Sequence, residues 1–341
     1  MLFIAKALFF APYLIPILAS VQHPRQQGPF ALTLNPTSII ASRVNSSGRV
    51  ELRTYQVTSE YLSYFDNTIS QFDPQNRFNE PWECSKAAIS TFRTAIAGIT
   101  KDLTESLGYR PKYSTLVLPA IFSHSSWCAA YRAIRTSPDD DDRPFDQLKI
   151  DDRPFSERFG GAAACEAYDL FHRCDRLGRA PEDCNEDGPV NLIIGVEYEQ
   201  SYMHVRLFEM VYDHHGYANV AEKMCLECGL RFNKTEDATS YEDRIRSFLD
   251  SSIREVVASN KWYEMDDLRA VVVVGEVPRA AIAKLENLVQ ETLKLDHIRM
   301  LNDIDAALAK SYGAASYALH TEVHPEVYQV FVSPPLEHSE L

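Results

Sequence analysis

Two stretches of this chain, Leu32 to Glu51 and Leu192 to Glu209, share one build: an apolar strand, a tight polar loop, then a second strand of alternating character. One such hairpin is ordinary and would suit any sheet edge. The same hairpin twice, each time followed by helices and a buried-type strand, narrows the choice to a duplicated α/β layer arrangement.

In the first half, Phe30 to Leu34 and Ile39 to Arg43 are expected strands around the turn Asn35-Pro36-Thr37-Ser38, and Arg49 to Tyr55 adds a third. From Trp82 onward, Ile89, Phe92, Ile96, Ile99, Leu103 and Leu107 place one apolar stripe on a long helix, which Pro111 ends. Thr115 to Phe122 reads as a strand buried on both faces, with a helix from Trp127 to Ile134 behind it. The second half repeats the order. Strands at Leu192 to Val196 and His204 to Glu209 precede a helix striped by Ile245, Leu249, Ile253 and Val257. A buried strand at Val271 to Val274, a helix through Ile282, Leu285 and Val289, and an alanine-rich helix from Ile304 to Leu319 complete it.

Within the first half, residues 137–156 are rich in Asp and Pro and echo themselves in Asp141-Asp142-Arg143-Pro144-Phe145 and Asp151-Asp152-Arg153-Pro154-Phe155. Adjacent carboxylates without spaced ligands or a turn glycine read as a solvated insertion rather than a calcium loop. A net charge of -14 and a pI near 5.2, with no basic stripe, argue against a nucleic-acid partner.

The ends and the cysteines bear on compartment. Residues 1–20 carry one cation, Lys6, and then an apolar run from Ala7 to Ala19 broken by Pro12 and Pro16, which reads as a cleaved signal peptide. As a retained anchor the run falls short of the roughly 20 residues that cross a bilayer, so no transmembrane segment is expected after cleavage. Asn45-Ser46-Ser47 and Asn233-Lys234-Thr235 are then glycosylation sequons in polar loops, and His338-Ser339-Glu340-Leu341 is similar to a lumenal retrieval signal. Seven cysteines in an oxidising compartment predict disulfides with at least one thiol left over, Cys174 and Cys184 being a plausible local pair. Cys225-Leu226-Glu227-Cys228 invites a redox reading, but Glu222 and Glu227 oppose a reactive thiolate and no strand is expected to lead into it. Structural bonding is the expectation there. His204, His214 and His215 read as surface histidines, with no metal site.

The order of segments, and above all Ser114 to Phe122 and Val272-Val273-Val274-Gly275-Glu276-Val277-Pro278-Arg279 preceded by Met265-Asp266-Asp267-Leu268, resembles the nucleotide-binding domain of DnaK-type heat-shock chaperones. More broadly it resembles the actin and sugar-kinase ATPases. Weaker likenesses are Gly161 to Tyr168 and Tyr312 to Ala318, near that family's two connecting helices. The resemblance implies an actin-like ATPase, ribonuclease H-like fold of duplicated α/β lobes with reduced peripheral subdomains. Its divisions are a signal at 1–20, a first lobe at 21–190, a second at 191–325 and a tail at 326–341.

In that family each hairpin carries D-x-G, whose aspartate organises magnesium and water and whose glycine lets backbone N–H groups approach phosphate. Here those places fall on Thr33 and Asn35, followed by Pro36 with no N–H to donate, and on Glu197 and Glu199. Glu276 replaces a glycine beside the adenosine site. The residues that the resemblance leaves for a nucleotide are Thr37, Glu197, Gly275, Arg279 and Gly313, and no counterpart of the family's catalytic lysine is found. The expectation is a degenerate, non-catalytic domain that binds ATP and magnesium weakly or not at all and works on an unidentified protein partner. The alternatives are a slow ATPase of the same fold and an unrelated secreted α/β protein.

Overall fold

The computed structural model describes residues 28–73, 84–135, 156–185, 187–211, 216–234, 237–294 and 296–323. The signal segment, nearly all of the acidic insertion, His214, His215, Thr235 and the C-terminal tail lie outside the described residues.

The chain is a mixed α/β protein. In order it runs β1 (Phe30–Leu34), β2 (Ser38–Val44), β3 (Val50–Gln56), α1 (Ser59–Ser70), α2 (Lys86–Leu107), β4 (Tyr113–Leu118), α3 (His124–Arg135), β5 (Ser156–Phe159) and α4 (Gly160–Ala167). It continues through β6 (Leu192–Tyr198), β7 (Met203–Val211), β8 (Gly216–Cys225), α5 (Ala238–Ser259), β9 (Leu268–Val274), α6 (Arg279–Leu293), β10 (Arg299–Leu301) and α7 (Ala306–Val323).

The strands form two sheets of one design. The first has the order β3-β2-β1-β4-β5 and the second β8-β7-β6-β9-β10. In each, the first three strands in sequence are antiparallel, and the fourth and fifth run parallel to the first. The parallel pairing even slips at the same place, between Phe30 and Ala31 in one sheet and between Leu192 and Ile193 in the other. β1 and β6 are buried at every residue, as strands covered on both faces must be.

Helix stripes decide what covers those faces. Tyr61, Phe65 and Ile69 of α1, with Ile89, Phe92, Ile96 and Leu103 of α2, pack on Leu32, Leu34, Leu116 and Leu118. Ile245, Leu249 and Ile253 of α5 and Ile282, Leu285 and Val289 of α6 do the same on Ile194, Val196, Val271 and Val273. Local chemistry sets the helix ends. Ser85 accepts from the Ala88 N–H at 3.1 Å to start α2, and Gly108, in the left-handed region at φ 77°, stops it.

The inner faces of the two sheets meet across α4 and α7. Ala162, Ala164 and Cys165 lie against Ile193, Ala270 and Val272, while Ala314 and Ala318 lie with Ala163 against Ala31 and Val117. Small residues let the helices touch along their backbones. A Cβ on Gly313 would sit 1.6 Å from the Ala163 carbonyl oxygen, so no other residue fits that crossing.

Several expectations need correction. The strand expected to reach Phe122 ends at Leu118, because Pro119 turns the chain. β8 leads directly into the C-x-x-C, where no strand was expected. His204 is buried rather than at the surface, because it points from β7 toward α4 and not to solvent. Three cysteine pairs lie at disulfide distance, Cys84 with Cys128, Cys174 with Cys184 and Cys225 with Cys228, and Cys165 is a buried free thiol.

Candidate functional site

The two hairpin turns are bridged by Glu276, in the loop after β9, which bonds to Thr37 and Ser38 of one turn and to Glu199 of the other. In one the Asn35 N–H donates to the Ser38 carbonyl at 2.8 Å, and in the other the Glu199 N–H donates to that of Tyr202 at 2.9 Å. These closing bonds make Asn35 equivalent to Glu199 and, two residues earlier, Thr33 equivalent to Glu197. All four are buried. Pro36 holds the first turn so that the Thr37 N–H and the hydroxyls of Thr37 and Ser38 point the same way.

Those three donors converge on one carboxylate, that of Glu276. Its Oε2 accepts from the Thr37 N–H and the Thr37 hydroxyl, both at 2.8 Å, and its Oε1 accepts from the Ser38 hydroxyl. Glu276 reaches them because Gly275 turns the chain sharply after β9. Gly275 has φ 147° and packs so closely that a Cβ would stand 1.8 Å from the Tyr198 carbonyl oxygen. The Glu276 N–H in turn donates to Glu199 Oε2 at 2.9 Å.

Deeper in, Lys310 of α7 sits between two carboxylates of β6 and its turn. Its Nζ is 3.4 Å from Glu199 Oε1 and 3.8 Å from Glu197 Oε1. Glu197 Oε1 also accepts from the Tyr202 hydroxyl and, at 3.2 Å, from the Ala120 N–H just beyond β4. All three side chains are at most 2% exposed, so their charges are nearly water-free. A continuous chain of polar contacts thus runs from the first hairpin through Glu276, Glu199, Lys310 and Glu197 to the end of β4.

One cation cannot balance two buried carboxylates, and the environment separates them. Burial pushes the Glu199 carboxyl up to about 8, only partly opposed by Lys310, with Glu197 adding to the rise. Burial also works against the Glu197 charge. There Lys310, the Tyr202 hydroxyl, His204 and the Ala120 N–H outweigh it and hold the carboxyl below its ordinary value. Burial opposes the Lys310 charge too, but Glu197 and Glu199 keep its ammonium above the usual lysine value. The environment therefore favours the charged forms of Glu197 and Lys310 and the neutral form of Glu199.

Of the residues expected to hold a nucleotide, Thr37 contacts Glu276, Gly275 provides the turn and Glu197 pairs with Val274 across the β6–β9 ladder, so these three share the cluster. Gly313 lies three residues beyond Lys310 at the helix crossing. Arg279 opens α6 with its side chain in solvent, outside the cluster. The space beside Glu197, bounded by Gly160, His204, Arg206 and Phe208, is a cavity of about 10 Å³, room for about one water molecule. Among the described residues no group of three or more His, Cys, Asp or Glu is arranged to hold a metal ion. A magnesium–nucleotide complex does not fit these residues: Glu276 already takes the turn's three donors, and Lys310 fills the gap between Glu197 and Glu199.

Lys310 was missed from sequence, although it falls on the buried side of an alanine-rich helix with Gly313, Ala314, Tyr317 and Ala318. A lone lysine on an otherwise small and apolar stripe is the signal that could have found it. Comparison with protein-family models and with curated proteins returns no match.

Proposed function

We propose that this chain is a non-catalytic relative of the actin and DnaK-type ATPases, acting in the secretory pathway as a binding or scaffold protein. The duplicated strand order and the two small-residue helices crossing between the sheets support that ancestry. The cysteine pairs suit an oxidising compartment. Among the described residues no helix is long and apolar enough to cross a membrane.

The observation that carries the reading is the Glu276 carboxylate on the donors of Thr37 and Ser38. An incoming phosphate would have to displace a carboxylate held by three hydrogen bonds. It would then face Glu276 and Glu197 as like charges, each costing about 4 kcal/mol at 4 Å in a partly screened site. The competing reading, a slow ATPase of the same fold, rests on Glu197, whose Oε2 has no hydrogen-bond partner and borders the small cavity.

Thermal unfolding with and without millimolar magnesium and ATP separates the two, because a ligand of the native state raises the midpoint. An unchanged midpoint is expected. A rise that disappears in Glu197→Ala overturns the non-catalytic reading.

A further inference from the structure

We infer that Cys225 and Cys228 form a thiol–disulfide exchange site that oxidises a protein or peptide dithiol and passes its electrons to a low-molecular-weight disulfide of the glutathione type. The inference goes beyond the binding role proposed above, takes from it only the oxidising compartment, and holds whether or not the chain descends from an ATPase.

The structure removes both sequence grounds for a purely structural bond. β8 runs directly into the motif: Cys225 is its last residue, laddered to Met203 of β7, and Leu226 to Cys228 make one short helical turn. The two carboxylates that would repel a thiolate are both paired with cations. Glu222 is held by Arg206, with His204 Nε2 at 3.3 Å, and Glu227 Oε2 faces Arg244 Nε at 3.9 Å. The pair is also asymmetric. β8 is the outermost strand of its sheet and Cys225 is partly exposed at its end, whereas Cys228 is fully buried in the second lobe's core with Met203, Val205, Tyr241 and Ile245. An incoming thiolate therefore has access to Cys225 Sγ and not to Cys228 Sγ.

Neither cysteine is held in place by the disulfide alone. The backbone of Cys225 belongs to the β7–β8 ladder. The Cys228 carbonyl accepts from the Tyr241 hydroxyl at 2.9 Å, and the Glu227 carbonyl accepts from Arg244 Nη1 at 3.0 Å. Just beyond the pair, the Leu230 and Arg231 N–H groups donate to the Glu199 and Gln200 carbonyls at 3.0 and 2.9 Å. The two Cα atoms are 5.3 Å apart, a separation that a disulfide bridges without backbone movement, so the thiols stay side by side after reduction and can re-form the bond. Linkage points the same way. The three cysteine pairs span 44, 10 and 3 residues, so loop closure contributes least at Cys225–Cys228. The fold resists reduction least at the bond that stabilises it least.

The exchange proceeds in two displacements. A substrate thiolate attacks Cys225 Sγ, the bond to Cys228 breaks, and Cys228 leaves as the thiolate, giving a mixed disulfide on Cys225. The second substrate thiolate then attacks the substrate sulfur in that bond and expels the Cys225 thiolate. The substrate dithiol has become a disulfide, and its two electrons and two protons reside on Cys225 and Cys228. The same two displacements in reverse, with oxidised glutathione as the acceptor, restore the pair and release two molecules of reduced glutathione.

A glutathione redox titration of the wild-type full chain, quenched by alkylation and read by peptide mass spectrometry, tests the site without any variant. Cys225 and Cys228 are expected to open together at a less reducing ratio than Cys84–Cys128 and Cys174–Cys184. Opening last, or only together with the other two pairs, overturns the proposal. Single variants locate the attack. With oxidised glutathione, Cys228→Ser is expected to gain one glutathione at Cys225 and Cys225→Ser none at Cys228; modification of Cys228, or an unmodified Cys225, overturns it. Finally, catalytic amounts of wild-type chain should speed the oxidation of a two-cysteine peptide by oxidised glutathione, and the Cys225→Ser/Cys228→Ser chain should lose that effect. Equal rates with wild type, with the double variant and with no protein overturn the activity.

Discussion

Lys310→Met removes the ammonium 3.4 Å from Glu199 and 3.8 Å from Glu197 while keeping most of the side-chain volume. Burial favours the neutral form of Glu199, so the loss falls chiefly on Glu197, whose charged form Lys310 supports and which is at most 2% exposed. Stripping one partner from a buried ion pair costs about 3–5 kcal/mol, a large share of the roughly 5–15 kcal/mol by which a folded domain is stable. Without Lys310, burial dominates and the Glu197 carboxyl rises above its ordinary 4.5. A raised folded value makes the associated stability fully present below the unfolded value and lost as pH rises through the folded one. The variant should therefore unfold at distinctly lower guanidinium concentration than wild type at about pH 8, by about half a molar or more, and recover toward wild type near pH 5. A deficit under about 1 kcal/mol at pH 8, or one equally large at both pH values, refutes the charge arrangement.

Glu199, raised to about 8 from 4.5, makes wild-type stability fall by about 1.4 kcal/mol per pH unit across that window. Glu199→Gln should remove this slope in calorimetric unfolding, and an identical slope in the variant would count against the assignment. Gly313→Ala forces a methyl group onto the Ala163 carbonyl and should cost about 3 kcal/mol or more; a change below about 1 kcal/mol would show that α4 and α7 do not touch there. Cys84 and Cys128 are 44 residues apart and Cys225 and Cys228 only 3. Loop-closure entropy then makes the Cys84→Ser/Cys128→Ser pair lose about 4 kcal/mol and the Cys225→Ser/Cys228→Ser pair about 2. The reverse order in denaturant midpoints contradicts that pairing scheme.

The elements legible in the sequence are those whose burial leaves a period. β1, β6 and β9 are continuous apolar runs, and α2, α5 and α6 carry stripes at three-and-four spacing. α1 escaped notice because Tyr61, Phe65 and Ile69 are separated by polar residues with no flanking strand signal. β8 is a half-exposed edge strand and β10 spans three residues, both too weakly patterned to stand out. The site was half legible. Glu199 and Glu276 were recognised as carboxylates in places that a phosphate-binding site keeps for glycine, but only tertiary structure turns Glu276 onto Thr37 and Ser38. Lys310 was hidden by its surroundings, because α7 is buried on nearly every side and its alanines carry little periodicity.

The central claim is that the chain's own carboxylate occupies the donors of the first turn. A double-mutant cycle between Glu276→Ala and the paired change Thr37→Val with Ser38→Ala measures that contact by denaturant unfolding at about pH 6, where Glu199 is protonated. Charge-assisted hydrogen bonds from two hydroxyls predict a coupling of about 1.5–3 kcal/mol. Effects additive within about 0.5 kcal/mol would mean that Glu276 is not held at the turn.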